Sequence, residues 1–259
     1  MNLGIIGYGN IGELISQNII NHDFYNLNKF YIANRTLSKI NHLKDTDPHI
    51  SVTDDNTEVA RNCEKIIISV KTSDLINVLE QIKPHLNKDT QIIHTCAGID
   101  LKFEDNGLSC VIPTISSTYD KNNPKKGVSI IMHDENVSAE NKDFVEDLFS
   151  KFSHIKVVDN TLDLEIATIA ASCMSAFIAL SLDLFANKLE ERCNLSKEET
   201  FKILAETLNS TTYILNEDIY SPDELINKVA TKNGITQKGL DVLDEDLPAI
   251  YKRLICNLL

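Results

Sequence analysis

The first half of the chain carries its apolar residues in short, nearly continuous Ile- and Val-rich runs, at 2–6, 30–33, 65–70, 91–95, 109–112, 128–132 and 155–158. Such runs read as strands buried on both faces, the pattern of a parallel sheet covered by helices. Between several of them lie stretches with helical apolar spacing, at 11–21, 37–43, 73–85 and 139–152. The alternation predicts a doubly wound α/β domain over residues 1–159.

After Asp159 the strand signal ends. Residues 162–189 read as one long helix, apolar nearly all round. Ser196 and Glu199 have capping-box spacing and open a helix over 196–209. Ser221-Pro222-Asp223-Glu224 opens another, with Pro at its first position. A last helix is predicted over about 236–258, with a bend near Pro248. Residues 160–259 are thus expected to be all-helical. So few helices cannot sheathe a long, Ala- and Ser-rich apolar helix, so a homodimer burying it against a second copy is the economical arrangement. Residues 166–182 hold no charged residue but do hold four Ser and Thr. They fall just short of a spanning length, so they are expected to be a buried helix and not a membrane one.

Composition narrows the class. The chain has 259 residues, 42% hydrophobic and 24% charged, enough to form a core without staples. Its net charge of -13 repels phosphate backbones and anionic headgroups, so nucleic acid and membranes are not expected partners. The six cysteines form no CxxC pair and read as reduced, as in a cytoplasmic protein. The N-terminus lacks a charged region and an apolar stretch of signal length. The seven histidines show no ligand spacing, so no metal site is predicted.

The candidate chemistry lies at strand ends. Ile6-Gly7-Tyr8-Gly9-Asn10-Ile11-Gly12 contains a GxGxxG that directly follows an apolar run and opens an amphipathic helix through Ile11, Leu14, Ile15 and Ile19. In that context Gly7 permits the tight turn, Gly9 lets a pyrophosphate approach the backbone, and Gly12 lets helix and sheet pack closely. Helix N–H groups then face the phosphates. The domain is predicted to be a Rossmann domain binding a dinucleotide. The run at 30–33 ends in Asn34-Arg35-Thr36, with no carboxylate to hold a ribose 2′-hydroxyl. Arg35 can stack on adenine and pair with a 2′-phosphate, so NADP(H) is expected over NAD(H). Ser69-Val70-Lys71-Thr72 ends the run at 65–70, where ligands of open α/β sheets sit, and Lys71 is placed to meet a phosphate or the nicotinamide. Small Ala97 and Gly98, after His94-Thr95-Cys96, leave room for a planar ring. The stretch Thr231-Lys232-Asn233-Gly234-Ile235-Thr236 is a polar turn whose N–H groups and hydroxyls suit a carboxylate. Taken alone it is a helix–helix loop with a Thr N-cap.

These pieces, in this order over nearly the whole chain, resemble the pyrroline-5-carboxylate reductase family. The shared features are the opening GxGxxG, the Asn-Arg-Thr, Asn56, the Val-Lys of Val70 and Lys71, the Ala-Gly-Ile from Ala97, Pro113, and the 231–236 loop. The resemblance implies a Rossmann domain and a helical dimerisation domain. It implies reduction of cyclic 1-pyrroline-5-carboxylate to proline with NADPH or NADH, hence a role in proline biosynthesis. Asn56 is implied as a cofactor residue. The loop (Thr231, Asn233, Gly234, Ile235, Thr236) is implied to hold the substrate carboxylate. Thr236, as the catalytic residue, is implied to hydrogen-bond the ring nitrogen. The chain departs from the family at Lys232 and Asn233, which stand for Pro and Gly, at Ala171-Ser172-Cys173-Met174-Ser175-Ala176-Phe177 in the long helix, and at Ile112-Pro113-Thr114. The run Ile112 to Ser116 and the pair Ser172-Cys173 resemble the family's ComER-like branch. The expected function is therefore an NADPH-dependent imine reductase. The alternatives are a non-catalytic NADP(H)-binding regulator of the ComER-like type and a reductase of another small imino or 2-oxo acid. The β-hydroxyacid dehydrogenases place a catalytic Lys on the long helix, whereas the first Lys there is Lys188, near its end.

Overall fold

A computed structural model describes residues 1–22, 27–99, 101, 107–115 and 127–259. Ser116, the last residue of the Ile-Pro-Thr-Ile-Ser run, lies outside them. The chain divides into two compact units, 1–175 and 176–259. Residues 160–175, assigned by sequence to the helical part, cluster with the first unit.

The first unit is built on one eight-stranded sheet: β1 Asn2–Ile6, β2 Lys29–Ala33, β3 Ile50–Thr53, β4 Lys65–Ile68, β5 Gln91–His94, β6 Leu108–Pro113, β7 Val128–His133 and β8 His154–Val158. The strand order is β3-β2-β1-β4-β5-β6-β7-β8, so the chain direction across the sheet reverses between β1 and β4. All pairs are parallel except β6 with β7, so the sheet is mostly parallel, as its Ile and Val runs predict, with one antiparallel pair that they do not reveal. Continuous apolar runs cannot report pair direction, because a strand buried on both faces looks the same in either orientation. No apolar run predicts the strand at Ile50–Thr53. That segment is a short edge strand with two polar residues in four.

Helices cover both faces. α1 Asn10–His22 and α4 Ala139–Ser150 pack on Leu3, Ile5, Ile32, Ile67, Ile93 and Val111. α2 Asn56–Asn62 and α3 Leu75–Ile82 pack on the alternate residues Ile6, Tyr31, Ile66, Ile68 and Ile92. Neighbours in one strand thus feed opposite cores, as a period of two requires. α2 was not predicted. It is seven residues long, is capped by Asp55, whose side chain accepts from the Thr57 N–H, and lies so close to β1 that a Cβ at Gly4 would meet Val59 at 2.3 Å. The segment 37–43, predicted as a helix, forms two 3-10 turns, Leu37–Lys39 and Asn41–Asp45. α5 Thr161–Thr168 packs through Leu164 on a third cluster with Cys110, Ile112 and Val158.

The long helix is present, with an interruption. α5 runs through a π-helical turn, Ile169–Cys173, into α6 Met174–Glu190. The second unit continues with α7 Lys197–Asn216, α8 Pro222–Val229 and α9 Ile235–Leu258, and α9 passes through Pro248 as one helix. The Ser196–Glu199 capping box forms, and Ser221 with Glu224 forms a second one.

Candidate functional site

β1, β2 and β4 end side by side at the reversal of strand order, where open α/β sheets bind ligands. A cleft of about 610 Å³ opens there. Of the residues singled out by sequence, Ile6, Gly7, Tyr8, Gly9, Asn34, Arg35, Asn56, Ser69, Val70 and Lys71 line it. They come from four separate segments, so the fold brings together what only the motif order had linked.

Backbone geometry explains the glycines. Gly7 has φ +101° beneath the turn, and a Cβ there would lie 2.3 Å from the Ser69 carbonyl oxygen. A Cβ at Gly12 would lie 2.1 Å from the Gly7 carbonyl oxygen, so α1 could not approach the turn with any other residue. Gly9 differs. It is exposed to the cleft with nothing within 4 Å of a Cβ, which is open space for a ligand beside free helix N–H groups. Tyr8 is buried, and its hydroxyl accepts a hydrogen bond from Gln17 of α1 at 3.2 Å.

Arg35, after β2, and Lys71, after β4, both line the cleft. Lys39, four residues beyond Arg35, joins the lining. Lys39 is not among the residues that the motifs single out, and its spacing from Arg35 along a helical turn is the signal for it. Ser73, Asp74, Asn77, Val78 and Gln81, at or before α3, also line the cleft. Asn56 donates from its side chain to Gln81 Oε1 at 2.9 Å, joining the first residue of α2 to α3. Ser69 accepts from the Thr95 hydroxyl at 3.1 Å. Three cations against one carboxylate give the cleft a positive balance inside a chain of net charge -13. Open glycine backbone, free N–H groups and basic rims fit a dinucleotide, whose diphosphate is anionic.

The other predicted cofactor residues lie outside this lining. Gly12 and Ile11 serve packing; Ile11 borders the α1 core. Asn10 is the first residue of α1, Thr36 precedes the 3-10 turn Leu37–Lys39, and Thr72 opens another, Thr72–Asp74. Ala97 packs on the α5 cluster, and Gly98 follows at φ +70°. Behind the cleft, burial pushes the His94 imidazole down to about 4, so it is neutral at pH 7. Its Nδ1 accepts from the Cys96 N–H at 3.4 Å. Burial also raises the thiols of Cys96 and Cys110, the latter to about 12, so neither is a thiolate nucleophile. Among the described residues no group of three His, Cys, Asp or Glu side chains can hold a metal ion.

In the second unit, the turn between α8 and α9 is tightly formed. The Gly234 N–H donates to the Thr231 carbonyl at 2.8 Å, and a Cβ at 234 would sit 2.4 Å from Thr231 Oγ1. Asn233, where the family resemblance expects glycine, has φ +61°. Asn tolerates the left-handed region better than most residues, so this departure preserves the backbone path. Gly234, not a threonine, is the N-cap of α9, with no side-chain capping bond. Thr236 is exposed at the second helical position, so the reading of it as an N-cap is corrected. Ile235 is 92% exposed beside it. The π turn Ile169–Cys173 falls on the altered Ala171-Ser172-Cys173. Such turns recur at functional sites.

Two family models match. Residues 2–98 match that for NADP oxidoreductases, coenzyme F420-dependent, and residues 162–257 match that for pyrroline-5-carboxylate reductase dimerisation. A pyrroline-5-carboxylate reductase of Methanobrevibacter smithii is 82% identical, covering 97% of this chain and all of that one. ComE operon protein 4 of Bacillus subtilis (strain 168) is 25% identical over 99% of this chain and 93% of that one. The crystal structure of a Plasmodium falciparum pyrroline carboxylate reductase with NADP bound shares the fold, with a TM-score of 0.79 at 21% identity, covering 100% of this chain and 94% of that one. On the strength of the 82% identity over full length, the chain belongs to the pyrroline-5-carboxylate reductase family.

Proposed function

We propose that this protein reduces 1-pyrroline-5-carboxylate to proline with NADPH, as a soluble cytoplasmic homodimer. The observation that carries the reading is the 82% identity to a relative named as that reductase. The cleft supports the dinucleotide part. Its glycine turn and basic rims are arranged for a diphosphate with a nicotinamide at one end and adenosine at the other. When bound, the cofactor supplies the hydride. The chain's own residues bind and orient. Gly9 and the start of α1 receive the diphosphate, while Arg35 and Lys39 face the adenosine 2′-phosphate and give NADPH its preference. Lys71 faces the nicotinamide half. The N–H groups of the 231–236 turn hold the substrate carboxylate, and the Thr236 hydroxyl donates to the ring nitrogen. The exposure of Thr236 and its freedom from capping support that role. Proximity and orientation carry most of the rate.

The test is a spectrophotometric assay of NADPH oxidation with pyrroline-5-carboxylate, with proline identified as the product. Turnover with stoichiometric proline is expected. Cofactor binding without turnover of any cyclic imine would favour instead a non-catalytic NADP(H)-binding regulator.

A further inference from the structure

Asn34 is half-buried at the point where β2 leaves the sheet. Its side-chain carbonyl accepts the backbone N–H of Tyr8 at 3.2 Å, and its side-chain amine donates to the Thr36 carbonyl at 3.0 Å. The partners fix the amide's orientation, because the Tyr8 N–H only donates and the Thr36 carbonyl only accepts. Tyr8 is the residue between Gly7 and Gly9, and Thr36 directly follows Arg35. Two backbone bonds flank the pair: Gly7 N–H to the Ala33 carbonyl at 2.8 Å, and Asn34 N–H to the Thr53 carbonyl at 3.0 Å. One side chain therefore ties the turn that faces a diphosphate to the turn that presents Arg35.

We propose that Asn34 is a positioning residue for the dinucleotide, acting through Tyr8 and Thr36 and not by reading the 2′-phosphate. It holds the glycine turn and the Arg35 turn at a fixed separation, so that one ligand can span them without either turn rearranging. Both NADPH and NADH carry the diphosphate and the adenosine ribose, so both depend on Asn34 alike. Discrimination between them stays with the cations. The inference rests on the cleft being the dinucleotide site.

Two variants separate this role from the others. Asn34→Leu keeps the shape and removes both hydrogen bonds. In fluorescence titrations it is expected to weaken NADPH and NADH by the same factor, about tenfold, the size of one or two lost hydrogen bonds. The NADPH-to-NADH ratio stays as in the wild type. Asn34→Asp keeps the acceptor for Tyr8 but loses the donor to the Thr36 carbonyl, so NADH binding recovers only in part, to within about threefold of wild type, while carboxylate–phosphate repulsion removes NADPH. A loss confined to NADPH in Asn34→Leu would make Asn34 a direct phosphate ligand and overturn the proposal. So would unchanged affinity for both cofactors with only a lower Tm, which is the mark of a purely structural residue. Should Asn34→Leu not fold, Asn34→Asp decides, since a loss of NADH as large as about tenfold is also contrary to the proposal. A wild type that binds neither cofactor overturns this inference together with the reading of the cleft. A wild type that binds cofactor but turns over no imine touches only the proposed reaction.

Discussion

Arg35 is exposed on the cleft rim, two residues beyond β2, with no acidic residue where NAD-binding domains place one. Arg35→Ala is expected to cost NADPH about 1–3 kcal/mol of binding, the range for a charged hydrogen bond, and to leave NADH nearly unchanged. Equal losses in calorimetric titrations of the two cofactors would show that Arg35 does not face the 2′-phosphate. Thr236 allows a similar separation. Because Gly234 caps α9 without a side-chain bond, Thr236→Val leaves the cap intact and should barely move the Tm. It should lower kcat about tenfold or more at unchanged NADPH affinity, since about 1.4 kcal/mol of transition-state stabilisation is worth that factor, and Thr236→Ser should restore it. Unaltered turnover in Thr236→Val would remove the hydroxyl from the chemistry. His94 makes a prediction in pH. Its imidazole takes a proton at the ordinary 6.5 when unfolded but only near 4 when folded, because burial disfavours the charge. Between those values the unfolded state binds more protons, so stability falls as pH drops through that window, by roughly 3 kcal/mol in full. Urea unfolding at neutral pH and near pH 4.5 should show a steeper acid loss in the wild type than in His94→Gln. Parallel losses would mean that His94 is not the group responsible.

At the scale of elements, legibility followed how much of an element's pattern is local. The central strands were readable because their Ile and Val runs are buried on both faces, leaving no polar face to blur the signal. The capping box at Ser196 was readable, and so was the helix start at Ser221 through its Pro, because both signals lie within four residues; the second capping box, Ser221 with Glu224, emerges only in the structure. The short elements escaped. α2 and β3 are seven and four residues long, too brief for a period to emerge, and are held by tertiary contacts such as Val59 against Gly4. The same split runs through the site. Gly7, Gly9, Gly12 and Arg35 announce themselves by spacing, whereas Gln81 enters the cleft only because α3 folds beside α2. Asn233 looked like a departure in the 231–236 turn, yet its positive φ preserves the path a glycine would take. Replacing Gly234 is another matter: Gly234→Ala would drive a Cβ into the Thr231 carbonyl and hydroxyl. It is expected to distort the turn and reduce kcat/KM about as much as Thr236→Val, with NADPH affinity kept. Full activity in Gly234→Ala would mean that the turn's geometry does not matter to the reaction.

At the scale of the whole molecule, the continuous helix Thr161–Glu190 is long and apolar enough to cross a membrane, yet only 6% of its most apolar window is buried within the chain. A single chain does not bury this helix, which the sequence pattern assigns to burial against a second copy. Leu180, Leu184 and Phe185 are each more than half exposed, as are Ile203 and Val242 on α7 and α9. Monomers in water rarely display apolar surface on that scale. The match of residues 162–257 to a dimerisation model supplies the occupant, a second copy, and obligate interfaces of about 2,000 Å² or more are apolar in this way. Phe177 borders an apolar groove of about 290 Å³ with Ile250, Leu254 and Leu258 of α9. A carboxylate there, as in Phe177→Asp, should destabilise the fold and the dimer together. Leu184→Asp separates the two effects, because residue 184 is 54% exposed in the lone chain and a charge there costs the isolated protomer little. In sedimentation at micromolar concentration the wild type should run as a dimer or larger closed assembly, and Leu184→Asp as a smaller species with the same helical circular dichroism. A wild-type protein that is a well-folded monomer, or one recovered only with membranes, would refute the account. So would a Leu184→Asp protein that assembles like the wild type, since a charge buried without a partner in an apolar interface costs several kcal/mol.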